Sequence, residues 1–182
     1  MLAGCRFSAP SGSSDARAID ASAGDASAGD AAGMIWIEAE IYDAATSSAA
    51  GHQWLPRTDQ PMYSAASFVQ LLPANGGACA VVADLATCAA SLSYNVSVAV
   101  SGMYFLHVRI LATGSDEDSI WVGIDDLPDP SAIDQAQDGT WKWETRGAYS
   151  LGAGAHRLRL WQREAGVRAD VLVLSERATP PS

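Results

Sequence analysis

The residues best placed to do chemistry are two glutamates on one strand. In Ile35-Trp36-Ile37-Glu38-Ala39-Glu40-Ile41-Tyr42, apolar Ile35, Ile37, Ala39 and Ile41 alternate with Trp36, Glu38, Glu40 and Tyr42, the period of a strand with two different faces. Carboxylates two residues apart on one face lie roughly 7 Å from each other. Exposed, such a pair needs no counter-charge. Partly buried, it needs a cation, because an uncompensated carboxylate is costly to remove from water. A third acid, Asp170, opens the apolar run at residues 171–174 and can meet the pair if a sheet brings the two ends of the chain together.

No catalytic constellation accompanies these acids. His52, His107 and His156 stand singly, without paired metal-ligand spacing, and no serine occupies a nucleophile elbow. His107, beside Arg109 on the wet face of its strand, reads as an exposed structural histidine. Carboxylates are plentiful, but glycoside hydrolysis needs two facing across a cleft, which abundance does not supply; the chain is not expected to be an enzyme. With 21 acidic against 11 basic residues the net charge is −10, and Lys142 is the single lysine, so nucleic acid has no basic face to bind. No apolar run approaches the ~18 residues of a membrane-spanning helix. A length of 182 residues, 48% of them hydrophobic, fits one domain with a sizeable core.

The elements that must position the acids are strands. In residues 151–175, LGAGAHRLRLWQREAGVRADVLVLS, alternation through Leu158 and Leu160, the turn Arg163-Glu164-Ala165-Gly166 and the closing apolar run predict a hairpin with Asp170 at the mouth of its second strand. Leu92, Tyr94, Val96, Val98 and Val100 alternate with polar residues; Ser101-Gly102 then turns the chain into Tyr104, Leu106, Val108 and Ile110, with Phe105, His107 and Arg109 on the other face, a second hairpin signal. Ile120, Val122 and Ile124 lead to Asp125-Asp126, and Trp141-Lys142-Trp143 opens a further strand. A loop carrying Trp54, Pro56, Pro61 and Tyr63 precedes a short strand at 67–72 and the turn Pro73-Ala74-Asn75-Gly76-Gly77. Without sustained helical period, the fold class is all-β, an antiparallel β-sandwich. Trp36, Trp121 and Trp161 are expected in its core.

Residues 6–33 are Ala, Ser, Gly and Asp with a repeated DASAG unit, too polar to offset the entropy of ordering. As a linker of about 28 residues they span roughly 30 Å. Ahead of them, Leu2-Ala3-Gly4-Cys5 resembles the lipobox of bacterial lipoproteins, which implies acylation of Cys5 and a leader encoded upstream; without acylation, residues 1–33 are an unstructured tail. Cys79 and Cys88 enclose residues 80–87. In an exported protein they pair, leaving Cys5 for the lipid; in a cytosolic one they are two small core residues. Their spacing matches no zinc site or redox motif.

Several segments in order, EAE at 38–40, SGMYFLHVRI at 101–110, DSIWVGIDD at 118–126, TWKW at 140–143 and the whole 151–175 stretch, resemble carbohydrate-binding modules of families 6 and 35. The resemblance covers nearly all of 34–176 and divides the chain into a lipobox remnant (1–5), a linker (6–33), the module (34–176) and a tail (177–182). It implies a jelly-roll sandwich of the galactose-binding type with a structural calcium ion held by Glu38, Glu40 and Asp170 plus main-chain carbonyls, the hard oxygen set that Ca2+ takes. It implies a sugar site on loops at one end, where Trp143 and Trp141 match the family's stacking tryptophan and Tyr63 or Trp54 offers a second ring. One position departs. The family often has asparagine two residues before the late aspartate, and this chain has Arg168, whose planar fork suits an acidic sugar such as a uronate or else pairs with a nearby acid. The whole implies a non-catalytic, calcium-stabilised module, expected as a monomer, that binds poly- or oligosaccharide. It would be an exported bacterial lipoprotein, at the outer surface or in the periplasm, touching membrane only through its lipid. The alternative is a structural or protein-interaction surface lipoprotein with a degenerate sugar site.

Overall fold

The computed structural model describes residues 33–182, so Cys5 and all but the last residue of the 6–33 linker lie outside the described residues. Alternating apolar residues become strands β1 (Met34–Glu38), β2 (Ala44–Thr46), β3 (Gln53–Arg57), β4 (Phe68–Leu72), β5 (Ser91–Val98), β6 (Gly102–Leu111), β7 (Ser119–Ile124), β8 (Leu127–Pro128), β9 (Ile133–Asp134), β10 (Lys142–Leu151), β11 (Gly154–Gln162) and β12 (Arg168–Ser175). They form two six-stranded sheets: β10-β6-β12-β4-β3, with β1 also on β12, and β2-β5-β11-β7-β8, with β9 also on β7. Leu106, Val108, Ile110, Leu172 and Leu174 of the first sheet face Leu92, Tyr94, Val122, Leu158 and Leu160 of the second across one dry core. Burial of a side chain of this size stabilises by about 1.5–3 kcal/mol. The Tyr94 hydroxyl there donates to the Ala39 carbonyl at 2.8 Å.

Neither expected hairpin forms. β5 pairs β11 and β2 while β6 pairs β10 and β12, and β11 and β12 likewise belong to different sheets. Period-2 alternation fixes which face of a strand is buried but not its neighbour, and the same apolar face serves either side of a shared core. The link from β11 to β12 is an arch rather than a surface turn: Ala165 and Val167 are buried, and Gly166 N–H donates to the Leu71 carbonyl at 2.8 Å. A tight hairpin does join β7 to β8, where Asp125 and Asp126 have φ of 53° and 62° in the mirror-image turn that suits strand twist.

The outer faces of the two sheets differ. On the second, Trp121 and Trp161 sit opposite each other in register beneath the segment bearing Leu85 and Ala89. The disulfide Cys79–Cys88, with Cα atoms 5.9 Å apart, clips that segment, and the Trp121 indole N–H donates to the Cys79 carbonyl at 2.8 Å. Both rings are buried, but outside the core between the sheets. Trp36, expected in the core, is 38% exposed on the outer face of the first sheet, edge-on to Trp143 at 6.0 Å. His107, expected exposed, is fully buried, with Nδ1 2.8 Å from Thr145 Oγ1 and Nε2 2.9 Å from the Arg177 carbonyl. Its face is wet by pattern, but the chain after β12 covers it; burial lowers the imidazole pKa.

Candidate functional site

At one end of the sandwich the β3–β4 loop, residues 58–67, is fastened to all three acids. Ser64 Oγ–H donates to Glu38 Oε2 at 2.5 Å. Ser64 N–H reaches both Asp170 oxygens, at 3.0 and 3.2 Å, and Ser67 N–H donates to Glu40 Oε1 at 3.1 Å. Pairing of β12 with β6 shifts register between Ala169 and Val171. This bulge re-aims Asp170 out of the regular alternation, and its side chain is completely buried.

Buried anions need a counter-charge. Asp170 receives one from Arg109 on β6, whose Nη1–H donates to Oδ2 at 2.5 Å. The other branch of the fork donates from Nη2 to the Met62 carbonyl at 2.9 Å. Among the described residues neither Glu38 nor Glu40 forms such an ion pair. Burial, with Glu40 and Asp170 adding to it, pushes the Glu38 carboxyl above its ordinary value against the opposing Ser64 hydroxyl and Arg109. Glu40 Oε2 is buried without a hydrogen-bond donor among the described residues.

Among the described residues no three His, Cys, Asp or Glu side chains form a group that holds a metal by themselves. The expected calcium set is thus altered at one member: Asp170 is engaged by a guanidinium. Glu38 and Glu40 keep the features a hard cation relieves, an unpartnered buried oxygen and a carboxyl disfavoured as the anion, so the fit is confined to these two with Asp170 shared.

The aromatic residues divide. Phe68 is fully buried and carries Tyr63 against one side, at 5.7 Å between centroids, and Trp141 against another, at 5.4 Å. Tyr63 and Trp141 are half-buried. Trp141 N–H donates to the Pro61 carbonyl at 2.9 Å, and the Arg109 guanidinium lies 5.5 Å from its ring centroid, within cation–π range. Two rings therefore present at the loop end beside the acid cluster.

The other expected sugar residues have different surroundings. Trp54 is a correction: it is 3% exposed in the inter-sheet core, because position 54 falls on the inward face of β3, and no face of its ring is free to stack. Trp143 stands opposite Arg109 in register on the outer face of the first sheet, two residues on from Trp141, and packs on Met34, Val171 and Val173. Arg168 takes the second of its two readings, with Nη1 3.7 Å from Glu117 Oε2 and 3.5 Å from Thr113 Oγ1. Sequence reasoning missed Ser64, Phe68 and the role of Arg109. Alternation along β6 did put Arg109 on the outer face; nothing in the aperiodic loop marked Ser64.

No protein-family model matches the chain, and no curated protein sequence does. Solved structures do match. A β-1,4-mannanase of Podospora anserina with GH26 and CBM35 parts superposes with TM-score 0.60 at 17% identity over 82% of this chain, which spans 29% of that enzyme. A family 35 carbohydrate-binding module of Clostridium thermocellum gives TM-score 0.58 at 16% identity, covering 79% of this chain and 98% of the module. The C-terminal family 6 module of a marine laminarinase from Zobellia galactanivorans gives 0.52 at 17%, covering 78% and 98%. The fold is that of these carbohydrate-binding modules, a two-sheet jelly-roll sandwich.

Proposed function

We propose that residues 34–176 are a non-catalytic carbohydrate-binding module that stacks poly- or oligosaccharide on Trp141 and Tyr63. The observation that carries this reading is the pair of half-exposed rings braced on buried Phe68 at the loop end. An indole and a phenol offer a pyranose two apolar faces, and neighbouring polar groups orient its hydroxyls. The fold shared with modules described as carbohydrate-binding supports it.

Calcium belongs to the proposal. Glu38 and Glu40, with Asp170, would hold it, and it would supply the positive charge that Glu38 and unpartnered Glu40 Oε2 lack. Acylation of Cys5 would tether the module to a bacterial membrane, so that many weak sites act together on one polymer. The second reading, a surface lipoprotein with a degenerate sugar site, draws on Arg168, which pairs with Glu117 instead of offering its fork to a ligand.

Affinity electrophoresis of the wild type and Trp141→Ala against a panel of polysaccharides separates the two readings. Retardation of the wild type that the substitution abolishes supports stacking; no retardation on any glycan sinks it. A melting temperature unchanged by chelation, with Glu38→Ala equally insensitive, would remove the ion.

A further inference from the structure

Among the described residues Arg109 is the side chain that touches both Asp170 of the acid cluster and the ring of Trp141. Four contacts converge on it or on its immediate neighbours: Asp170 on Nη1, the Met62 carbonyl on Nη2, the Trp141 face beneath its guanidinium, and Ser64, one residue before the loop's second strained position, on the same Asp170. The loop they hold is not relaxed. Met62 and Ala65 have φ of 64° and 46°, left-handed conformations that non-glycine residues keep only where their surroundings enforce them. Met62 is itself 80% exposed, so its side chain packs on little, while its carbonyl is held by Arg109 Nη2.

We propose that Arg109 is a positioning residue of the sugar site, fixing Trp141 and the Tyr63-bearing loop relative to each other through its fork between Asp170 and the Met62 carbonyl. The inference rests on the reading of Trp141 and Tyr63 as stacking rings. It assigns to an internal guanidinium, rather than to a bound ion, the task of ordering them. Geometry makes arginine necessary. The fork is planar and delocalised, so it donates along two directions while its face lies on an indole; an ammonium has the charge but neither the second fixed donor nor the flat face.

The test uses the full chain with 5-fluorotryptophan at its tryptophan positions, the Trp141 resonance being assigned by its loss in Trp141→Phe. In Arg109→Met that resonance is expected to shift and broaden and chymotryptic cleavage after Tyr63 to rise at least tenfold, while the Trp121 and Trp161 resonances stay in place. Arg109→Lys retains charge beside Asp170 and should recover the melting temperature while leaving the Trp141 resonance displaced and glycan retention reduced about tenfold. Wild-type Trp141 signal and cleavage in Arg109→Lys would overturn the proposal, since charge alone would then suffice. So would a chelated wild type that shifts Trp141 as far as Arg109→Met does, since the loop would then be held by an ion. If the wild type retains no glycan, the stacking reading fails on its own, and the fluorine and cleavage readouts still decide the role of Arg109.

Discussion

Trp121 and Trp141 differ in what lies against their rings. Trp121 is sealed beneath a disulfide-clipped segment, 6% exposed, with aliphatic and indole neighbours and its N–H on the Cys79 carbonyl. Trp141 is half-buried, propped on Phe68, and shares its surroundings with the guanidinium that pairs with Asp170 and with a loop holding left-handed backbone. One region minimises free energy by excluding water. The other keeps buried charge and left-handed backbone, both of which cost stability, and leaves ring surface open. Local cost of that kind is what a binding site is permitted to carry.

The comparison is easiest to break where it predicts the largest losses. Trp121→Ala should cost about 3–5 kcal/mol by opening a cavity that the clipped segment cannot refill, measured by denaturant unfolding, with glycan retention per folded molecule unchanged. Asp170→Ala should cost about 2–3 kcal/mol, because it leaves the partly buried Arg109 charge and the Ser64 N–H without their carboxylate, but here retention should fall as well. Replacing Cys79 and Cys88 with serine removes a cross-link closing a separation of 9 residues and should cost about 2–3 kcal/mol, again without touching retention. Trp141→Ala inverts the pattern: a stability change of about 1 kcal/mol, in line with a partly exposed side chain, and abolished retention. A large loss of stability in Trp141→Ala, or of retention in Trp121→Ala, would erase the distinction between the two regions.

The smallest effect is a pH control away from both regions. His156 Nδ1 faces Asp125 at 2.7 Å and Nε2 the Gly152 carbonyl at 2.8 Å; the Asp125 hydrogen bond first, then the Gly152 carbonyl, raise its pKa above the ordinary value of 6.5. A group whose folded pKa is raised contributes stability fully present below its unfolded value and lost as pH rises through the folded one. The melting-temperature gap between the wild type and His156→Gln should therefore shrink with rising pH above 6.5, while retention shows no matching change.

Much of the fold was legible because burial imposes period 2 on each strand separately. Glu38 and the outward position of Arg109 followed from the same alternation, whereas Glu40 lies in the turn after β1 and Ile41, expected on the apolar face, is exposed. Strand partners did not, since β5 and β6, or β11 and β12, satisfy the same apolar pattern as a hairpin or as an arch between sheets. Exposure failed at His107 and Trp36, where the outer face of the first sheet is covered at one place by the chain after Ser175 and left open at another. Trp54 and Trp141 both stand in polar sequence surroundings, and only the direction of each side chain in space separates the buried ring from the half-exposed one.

By itself, then, the sequence determined an acidic chain of short antiparallel strands with a composition suited to one core, a low-complexity N-terminal segment and two neighbouring acids, of which Glu38 ends β1 and Glu40 falls in the turn after it rather than on the same strand face. These are properties of local pattern and charge. Tertiary structure decided that Asp170, lifted from the ladder by a bulge, meets Arg109 from the neighbouring strand and Ser64 from a distant loop. The physical reason is that counter-charge and ring exposure depend on which residues become neighbours across sheets, and alternation along one strand carries no record of that.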